Sequence, residues 1–237
     1  MRTPFLSFTA LAILCAILSA CGMPRSGGDI GEGPRSELPQ DFGNLYKQNC
    51  AGCHGAAGEG GGSIPLADPI YQALVDDGTL RQVISKGRAG SHMPPFAQSA
   101  GGTLSDSQID TLIQGMRQQW AKPVNLGVKI PSYKAQNPGD QKHGGQVYAQ
   151  FCASCHGGPG EKPGKAGAVT ARSFLQLIDD QSLRTLVIIG RPEFNAPDWR
   201  GDVPGRPMTD QEITDVVAWL SNNRLQPTSA KNRQGGF

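Results

Sequence analysis

The sequence predicts an all-α protein made of two small helical domains in tandem. The 237-residue chain contains an internal repeat, apolar residues recur at helical spacing in each copy, and each copy holds the same short motif of two cysteines and a histidine. With 32 glycines, 18 prolines and only 6% aromatic residues, the composition does not favour a large core. Each copy, of roughly 85 residues, is small enough to need a cofactor, a metal or a disulfide for stability.

The first helix of each copy leads into the cysteine motif. Tyr46 and Tyr148 occupy matching positions in this helix, shortly before the first cysteine. Three residues earlier, Gly43 and Gly145 also match, and we expect these glycines to let the last helix of each copy cross the first at close range. The predicted starting points of the two helices are about Asp41 and Asp140.

Two further helices are predicted in each copy. The second follows Thr79 in the first copy and Gln181 in the second copy. The third begins at a capping box, in which a side-chain oxygen and a residue three positions later satisfy backbone N–H groups reciprocally. The two boxes are Ser105 with Gln108 and Thr209 with Glu212. The apolar residues at helical spacing, which we expect in the core, are Leu80, Val83, Ile84, Ile109, Leu112, Ile113 and Met116 in the first copy and Leu183, Leu186, Val187, Ile213, Val216, Val217 and Leu220 in the second.

The motif Cys-x-x-Cys-His occurs at residues 50–54 and again at residues 152–156. It is the attachment signature of c-type haem. Each thiol can form a thioether with a haem vinyl group, and the adjacent imidazole then becomes the proximal ligand of the iron. The sequence therefore predicts two covalently bound haem c groups. The attachment residues are Cys50, Cys53, Cys152 and Cys155, and the proximal ligands are His54 and His156.

Two other kinds of site also use Cys-x-x-Cys pairs. A zinc site formed by both pairs would leave the histidine after each pair unexplained. A thioredoxin-like redox pair needs a preceding strand within a βαβ unit, which this sequence does not predict. The haem interpretation accounts for the histidine and for the repetition of the whole motif.

The N-terminus resembles a bacterial lipoprotein signal. Arg2 precedes an apolar run at residues 5–18, which is too short to span a bilayer securely, and Cys21 follows small residues. We expect cleavage before Cys21, lipid on this cysteine and export to an oxidising compartment. The alternatives are an ordinary signal peptide cut near Ala20 and an uncleaved anchor. Of the six cysteines, Cys15 leaves with the signal, so no thiol remains for a structural disulfide.

The domain boundaries follow from these features and from local composition. Glycine, proline and serine dominate the segment after the signal, and prolines recur between the two copies. The predicted segments are a lipoprotein signal peptide at 1–20, a flexible tether at 21–39, the first domain at 40–121, a proline-containing linker at 122–139, the second domain at 140–224 and a disordered tail at 225–237.

From the tyrosine-bearing first helix to the capped last helix, residues 38–224 resemble two class I cytochrome c domains in tandem. The resemblance implies small all-α domains in which the haem lies between the first and last helices with one edge near solvent. It also implies a distal iron ligand in the loop before the last helix. In the first copy Met93, followed by Pro94, looks like that ligand, and a thioether there raises the reduction potential by favouring ferrous iron. His92 is a rival with a poorer fit to the pattern.

The second copy departs from the pattern, because Ala196 aligns with Met93 and cannot bind iron. Four explanations stay open for the second haem. Met208 reaches the iron from further along the chain, although it aligns with a hydrophobic staple position. In the second explanation Asn195 binds the iron weakly, and in the third His143 approaches the iron from the first helix. In the fourth explanation the position is closed only by water or by a small exogenous molecule.

The resemblance also implies a backbone carbonyl that accepts a hydrogen bond from each proximal histidine. We assign this role to Pro65 for His54. The equivalent position in the second copy is Ala168, so we expect His156 to lack this support and the two irons to differ electronically.

The expected function is single-electron transfer between redox proteins by a lipid-anchored di-haem cytochrome c that faces the periplasm. No acid–base pair or nucleophile pattern stands out, so a carrier is favoured over an enzyme. One alternative is a haem enzyme or sensor that binds peroxide, nitric oxide or carbon monoxide at an open second site. Another is an electron-transfer subunit of a larger respiratory complex.

The expected partners are a protein electron donor, a protein electron acceptor and, through the lipid, a membrane. Lys162, Lys165 and Arg172 near the second motif form a candidate docking patch for an acidic partner, although scattered surface lysines are commonly just solvated. The formal net charge of +2 gives no indication of nucleic-acid binding.

Overall fold

The computed structural model describes residues 41–159, 161–201 and 203–225. Within these ranges the chain is helical and has no β-strand, only two isolated bridges, which confirms the all-α prediction. No helix in this part of the chain is long and apolar enough to cross a bilayer. The predicted signal peptide, the tether with Cys21 and residues 226–237 of the predicted tail lie outside the described residues.

The described residues form matching sets of helices in the two copies. In the first copy these are α1 (Phe42–Asn49), α2 (Ala51–His54), α3 (Pro69–Leu74), α4 (Asp77–Lys86) and α5 (Asp106–Trp120). In the second copy they are α6 (Gln141–Phe151), α7 (Ala153–His156), α8 (Arg172–Leu175), α9 (Asp180–Ile189) and α10 (Asp210–Leu225). Short 3-10 helices, Gln98–Ala100 and Pro192–Phe194, precede the last helix of each copy. The sequence did not predict α3 and α8, because they are too short to show an apolar period.

The last helix of each copy begins at the predicted capping box. The N–H of Gln108 donates to Ser105 Oγ at 3.3 Å, and the N–H of Ser105 donates to Gln108 Oε1 at 2.9 Å. In the second copy the N–H of Glu212 donates to Thr209 Oγ1 at 3.2 Å, and the N–H of Thr209 donates to Glu212 Oε2 at 2.8 Å. Both boxes therefore satisfy N–H groups that a helix start leaves without intrahelical partners.

The core of each copy forms where its last helix packs on the first and second main helices. Helix α5 contacts α1 and α4, and α10 contacts α6 and α9. The apolar stripes predicted on α5 and α10 are buried, and none of their eight residues is more than 7% exposed. These stripes are therefore packing surfaces, as the helical spacing predicted.

The prediction that Gly43 and Gly145 mark the helix crossings is wrong for the first copy. A Cβ added at Gly43 would meet only Asp41 Oδ1, at 3.4 Å, and nothing from α5. At Gly145 a Cβ would lie 3.1 Å from the ring nitrogen of Trp219 on α10, so this glycine does face the last helix. The tightest approaches use other glycines.

In the first copy the close approach is between Phe42 on α1 and Gly115 on α5, where a Cβ would stand 2.2 Å from the phenyl ring. In the second copy the glycine is on the first helix. A Cβ at Gly144 would lie 2.0 Å from the backbone oxygen of Asp215 and 2.9 Å from Trp219 Cβ. Each crossing therefore needs one residue without a side chain, but the two copies place it on opposite helices.

The two copies pack together within one compact unit. Arg88 follows α4, and its Nε donates to Asp179 Oδ2 at 3.1 Å in the second copy. The same guanidinium donates to the hydroxyl of Tyr133 at 3.2 Å. Arg191 is the matching residue after α9, and its Nη2 donates to the carbonyl of Gly61 in the first copy at 3.0 Å. Equivalent arginines thus bind the copies to each other.

The segment between α5 and α6 packs on the second copy. The side chain of Arg184 on α9 is 3% exposed, and its Nε donates to the carbonyls of Ser132 and Tyr133 at 3.0 and 3.1 Å. Its Nη2 also donates to Asp210 Oδ1 at 2.7 Å. The predicted linker is therefore held by a buried cation of the second copy.

Candidate haem sites

Each Cys-x-x-Cys-His motif forms a separate turn of helix after the first helix of its copy. Cys50 lies between α1 and α2, and Cys152 lies between α6 and α7, with φ of −121° and −117°. The N–H of His54 and that of His156 each donate to the carbonyl of the first cysteine of the motif, at 3.0 Å. The turn holds both thiols and the imidazole at one end of the first helix, as a haem attachment site requires.

A buried tyrosine closes each of these turns. The hydroxyl of Tyr46 donates to the carbonyl of Gly55 at 2.9 Å, and that of Tyr148 donates to the carbonyl of Gly157 at 2.7 Å. Both glycines have positive φ, 84° and 75°, a conformation that residues with side chains adopt only with strain. The matching tyrosines therefore fix the direction in which the chain leaves each motif.

A backbone carbonyl orients each proximal histidine. Nδ1 of His54 donates to the carbonyl of Ile64, and Nδ1 of His156 donates to the carbonyl of Gly167, at 2.8 Å in both cases. A carbonyl can only accept, so Nδ1 carries a proton, and in the neutral ring this leaves the Nε2 lone pair free to bind iron. Burial lowers the pKa of His54, an effect that the bond to Ile64 opposes, and this favours the neutral ring that ligation needs.

The predicted assignment of this carbonyl was wrong in both copies. The acceptor in the first copy is Ile64, the residue before Pro65, and Gly167 before Ala168 has the same place in the second copy. A backbone carbonyl does not depend on which side chain follows it, so the alanine does not remove the support. The expectation that His156 lacks a hydrogen-bonded carbonyl is therefore corrected, because both proximal histidines have this bond.

The donor groups of each motif fit a covalently attached haem. None of the four motif cysteines forms a disulfide; Cys53 is exposed, and the others are half-buried. Burial, with a smaller contribution from Cys53, raises the pKa of the Cys50 thiol to about 12. Within the described ranges, no group of three His, Cys, Asp or Glu side chains is placed to hold a metal ion, so the two cysteine pairs do not combine into a zinc site. Two cysteines beside an imidazole whose Nδ1 donates to a backbone carbonyl match haem c.

Met93 and Ala196 occupy the same place in the two distal loops. The N–H of Arg88 donates to the carbonyl of Met93 at 3.0 Å, and the N–H of Arg191 donates to the carbonyl of Ala196 at 2.8 Å. Met93 is half-buried, whereas its neighbour His92 is exposed. The backbone contacts thus support the alignment that puts alanine where the first copy has its candidate distal ligand.

Met208 lies in the core of the second copy at the position matched by Leu104. Both residues are 3% exposed. The N–H of Met208 donates to the carbonyl of Trp199 at 2.8 Å, and the N–H of Leu104 donates to the carbonyl of Phe96 at the same distance. Met208 therefore lies in a packing position just before the last helix, as its alignment with a hydrophobic staple position predicts.

The other two candidate ligands of the second haem are engaged elsewhere or exposed. Nδ1 of His143 lies 2.7 Å from Asp215 Oδ2 on α10. Asn195 is exposed and ends a 3-10 helix with φ of 58°. To bind the second iron, His143 would therefore have to give up its contact with Asp215.

One residue near the sites was not assigned an inter-copy role from the sequence. Arg191 begins the distal loop of the second copy, and its guanidinium reaches Gly61 in the loop after the first motif. The repeat alignment pairs Arg191 with Arg88, which is the only sequence signal that marks it. Helical periodicity does not indicate which neighbour a loop arginine contacts.

Comparison with known proteins gives the same division into two copies. The family model for cytochrome C oxidase, cbb3-type, subunit III matches residues 37–114 and again residues 139–220. Among curated proteins, the chain is 29% identical over 168 residues to the cbb3-type cytochrome c oxidase subunit FixP of Sinorhizobium medicae, covering 66% of this chain and 52% of that protein. It is 32% identical over 130 residues to the subunit CcoP of Azospirillum sp. strain B510, covering 48% of this chain and 38% of that protein.

The chain spans about half the length, or less, of the curated relatives it matches. Among solved structures, a chain of the Kuenenia stuttgartiensis reducing HAO-like protein complex aligns with 79% of this chain and 99% of its own length, with 16% sequence identity and a TM-score of 0.40. Each match of the family model contains one Cys-x-x-Cys-His motif together with the helices around it.

Proposed function

Because the chain belongs to the family of cytochrome C oxidase, cbb3-type, subunit III, as a tandem di-haem class I cytochrome c, we propose that it passes single electrons to or from a respiratory oxidase. Its two domains carry covalently bound haem c, which is a cofactor for electron transfer. The observation that carries the proposal is the repetition of one site, with the same motif turn and the same oriented histidine in both copies. The relatives named as oxidase subunits support the choice of partner.

A haem held at each motif would supply one-electron chemistry, through the ferric and ferrous states of its iron. Hydrogen bonds in the first copy support fixed positions for the two proposed ligands, His54 and Met93. The Ile64 carbonyl orients His54, and the distal loop is fixed by two bonds of Met93, whose carbonyl accepts from Arg88 and whose N–H donates to Ser91 Oγ at 3.1 Å. Preorganised ligands need little rearrangement when the oxidation state changes, which suits a carrier.

We further propose that lipid on Cys21 anchors the protein at the periplasmic face of a bacterial membrane. The support is the position of this cysteine after a short apolar run led by Arg2. Membranes from cells that express the full chain should retain the holoprotein after a high-salt wash, and Cys21→Ser should release it into the soluble fraction. Retention of the variant would contradict the lipid anchor.

The test of the proposed electron transfer begins with affinity purification of the full chain from solubilised membranes. We expect oxidase subunits to co-purify, and we expect oxygen uptake by those membranes to fall when the chain is removed. If oxygen uptake does not change and neither haem is reoxidised by the oxidase, the proposed function is wrong. If reoxidation occurs without co-purification, the chain is a separate carrier and not a stable subunit, which overturns only the idea of a subunit.

A second candidate function is the binding of a small molecule such as carbon monoxide, nitric oxide or peroxide at the second haem. It is favoured by Ala196 at the place of Met93 and by the core position of Met208. Visible spectra of the reduced holoprotein with and without carbon monoxide test it. We expect half of the haem to shift. If no haem shifts, both irons have firm distal ligands and this candidate is lost.

A further inference from the structure

The loops that follow the two motifs match in backbone structure. In each loop the N–H of a glycine donates to the carbonyl of the motif histidine, with Gly60 at 2.9 Å in the first loop and Gly164 at 3.3 Å in the second. The next residue is Gly61 in the first loop and Lys165 in the second. Gly61 and Lys165 therefore have equivalent places beside their motifs.

The first of these loops is contacted by the second copy through Arg191. Nη2 of Arg191 donates to the carbonyl of Gly61 at 3.0 Å and would lie 3.3 Å from a Cβ on Gly60. Gly60 is buried, as is Gly58, where a Cβ would meet the Trp120 ring at 2.8 Å. Part of this loop is therefore used for contacts within the protein, although Gly61 itself stays exposed.

The second loop carries exposed cations at the same place. Lys162 and Lys165 are both exposed. Their backbones are held against the motif, because a Cβ on Gly157 would lie 2.7 Å from the carbonyl of Lys162, and the N–H of Ala166 donates to the carbonyl of Cys155 at 3.0 Å. The two lysine side chains are thus attached to backbone that contacts the haem attachment site.

The charges around the two motifs have opposite signs. Between the first motif and the end of α3 the charged residues are acidic, Glu59 and Asp68. Between the second motif and the end of α8 they are Glu161, Lys162, Lys165 and Arg172, with a net positive charge. A positive surface beside one motif attracts an acidic partner and raises its rate of encounter.

We propose that Lys162 and Lys165, together the second-loop surface, dock an acidic redox protein, while the first loop serves contacts between the two copies. This inference rests on the proposed electron transfer and adds where the external partner binds. In each encounter the partner loses the one electron that the chain gains, or gains the one that it loses. No proton or covalent bond is exchanged at this surface.

An anionic membrane is a less suitable occupant of the second-loop surface. Lipid-binding segments typically use clusters of about four to eight basic residues. Here two lysines lie in the loop, and Arg172 at the start of α8 is the next cation along the chain. Their attachment to the haem motif instead favours a partner that needs to approach the haem edge.

Charge reversal in the full-length holoprotein tests the proposal. The variant is K162E/K165E, and its matched control is K129E/K134E, which makes the same change in net charge at exposed lysines of the linker.

The probe for an acidic protein is poly-L-glutamate, titrated at low ionic strength into the fully oxidised protein. We expect K162E/K165E to bind it about tenfold more weakly, since exposed charge pairs are individually weak but two attractions become repulsions. The control should change binding less than about twofold.

A kinetic measurement gives a second readout. Hexacyanoferrate(III) is an anionic oxidant, so its oxidation of the reduced holoprotein should slow in K162E/K165E and should lose most of its dependence on added salt. Equal losses in the variant and the control, or no loss in either, would overturn the second-loop surface. Selective loss of binding to phosphatidylglycerol vesicles without loss of poly-L-glutamate binding would assign the surface to a membrane and overturn the protein partner.

The outcomes separate this inference from the proposed function. Poly-L-glutamate binding is measured without electron transfer, so it can fail while both haems still cycle reversibly in a redox titration of wild type. In that case the docking surface is wrong and the carrier function stands. If neither haem of wild type cycles reversibly, the carrier function fails regardless of the binding result.

Discussion

Phe42 on α1 lies over Gly115 on α5, so closely that a Cβ at the glycine would stand 2.2 Å from the ring. By the repeat alignment, the matching residues of the second copy are Gly144 and Trp219. The large and the small residue have thus changed helices between the copies. Both arrangements let the first and last helices approach each other, and each should respond sharply to a change in size.

Gly144→Ala should destabilise the holoprotein by about 2 to 3 kcal/mol, because the new methyl group would lie 2.0 Å from the backbone oxygen of Asp215 and backbone cannot move aside cheaply. Guanidinium chloride unfolding followed by circular dichroism measures the change. Gly43→Ala is the matched control within a first helix, and since a Cβ there meets only Asp41, it should be neutral or slightly stabilising. Equal effects of the two substitutions would contradict the crossing geometry.

Arg88 and Asp179 should be energetically coupled across the boundary between the copies. Their side chains are only 17% and 13% exposed. A double-mutant cycle with Arg88→Ala and Asp179→Asn should give a coupling free energy of about 1 to 2 kcal/mol in unfolding experiments. Asparagine is chosen because its amide oxygen can still accept the Ser182 N–H bond that caps α9, which Asp179 accepts at 3.0 Å.

The matched comparison for that cycle is an exposed pair within the first copy, Arg81 with Asp110. These side chains are 41% and 48% exposed, so solvent should reduce their coupling to below about 0.5 kcal/mol. A coupling between Arg88 and Asp179 no larger than that of the exposed pair would mean that the contact does not stabilise the assembly of the two copies.

Exchange of the distal residues should move the carbon monoxide response between the haems. Met93→Ala should extend the spectral shift of the reduced protein from half of the haem to all of it, because the first site would lose its proposed ligand. Ala196→Met should abolish the shift if the added thioether reaches the second iron. Visible spectra at one protein concentration measure both effects.

Met208→Leu is the control for these distal variants. Leucine stands at the matching place of the first copy, and a swap of similar volume in a core usually costs less than about 1.5 kcal/mol. The carbon monoxide response should stay at half of the haem. If wild type shows no shift and Met208→Leu shifts half of the haem, Met208 is the second distal ligand and the open site does not exist in wild type.

His143 and Asp215 should make stability depend on pH in a defined window. The hydrogen bond to Asp215 raises the pKa of His143 above its usual 6.5, so the stabilisation is complete below 6.5 and is lost as pH rises through the raised value. Burial alone would raise the pKa of Asp215, but its hydrogen bonds, first that with His143, hold it below 3.8. Its contribution is therefore lost as pH falls through that lowered value.

The difference in unfolding free energy between wild type and His143→Gln should consequently be largest between about pH 4 and 6.5 and should shrink on either side. Denaturant unfolding at a series of pH values measures it. A difference that stays constant from pH 4 to pH 9 would show that the imidazolium charge does not contribute.

The sequence was sufficient where structure depends on local pattern. Both haem motifs and the capping boxes at Ser105 and Thr209 depend on residues a few positions apart, and the all-α class follows from apolar spacing. The errors at Pro65 and Gly43 have another origin. Which carbonyl points at a histidine, and which glycine lies at a helix crossing, depend on the three-dimensional path of the backbone and not on side-chain identity.

The contacts between the copies were also beyond the reach of the sequence. Arg88 and Arg191 occupy matching positions, yet one meets a carboxylate and the other a backbone carbonyl. The repeat alignment treats the two copies as equivalent, whereas packing one copy on another makes them unequal. The division of roles between the loops at Gly61 and Lys165 became visible only when this packing was known.

The buried side chain of Arg184 makes the folding unit of the second copy longer than its repeat unit. Its acceptors include the carbonyls of Ser132 and Tyr133, which precede the start of the repeat near Asp140. A fragment that began at Asp140 would leave a guanidinium that is 3% exposed without these partners. Gene duplication can copy the repeat, but an independently folding second domain has to include part of the connection that precedes it.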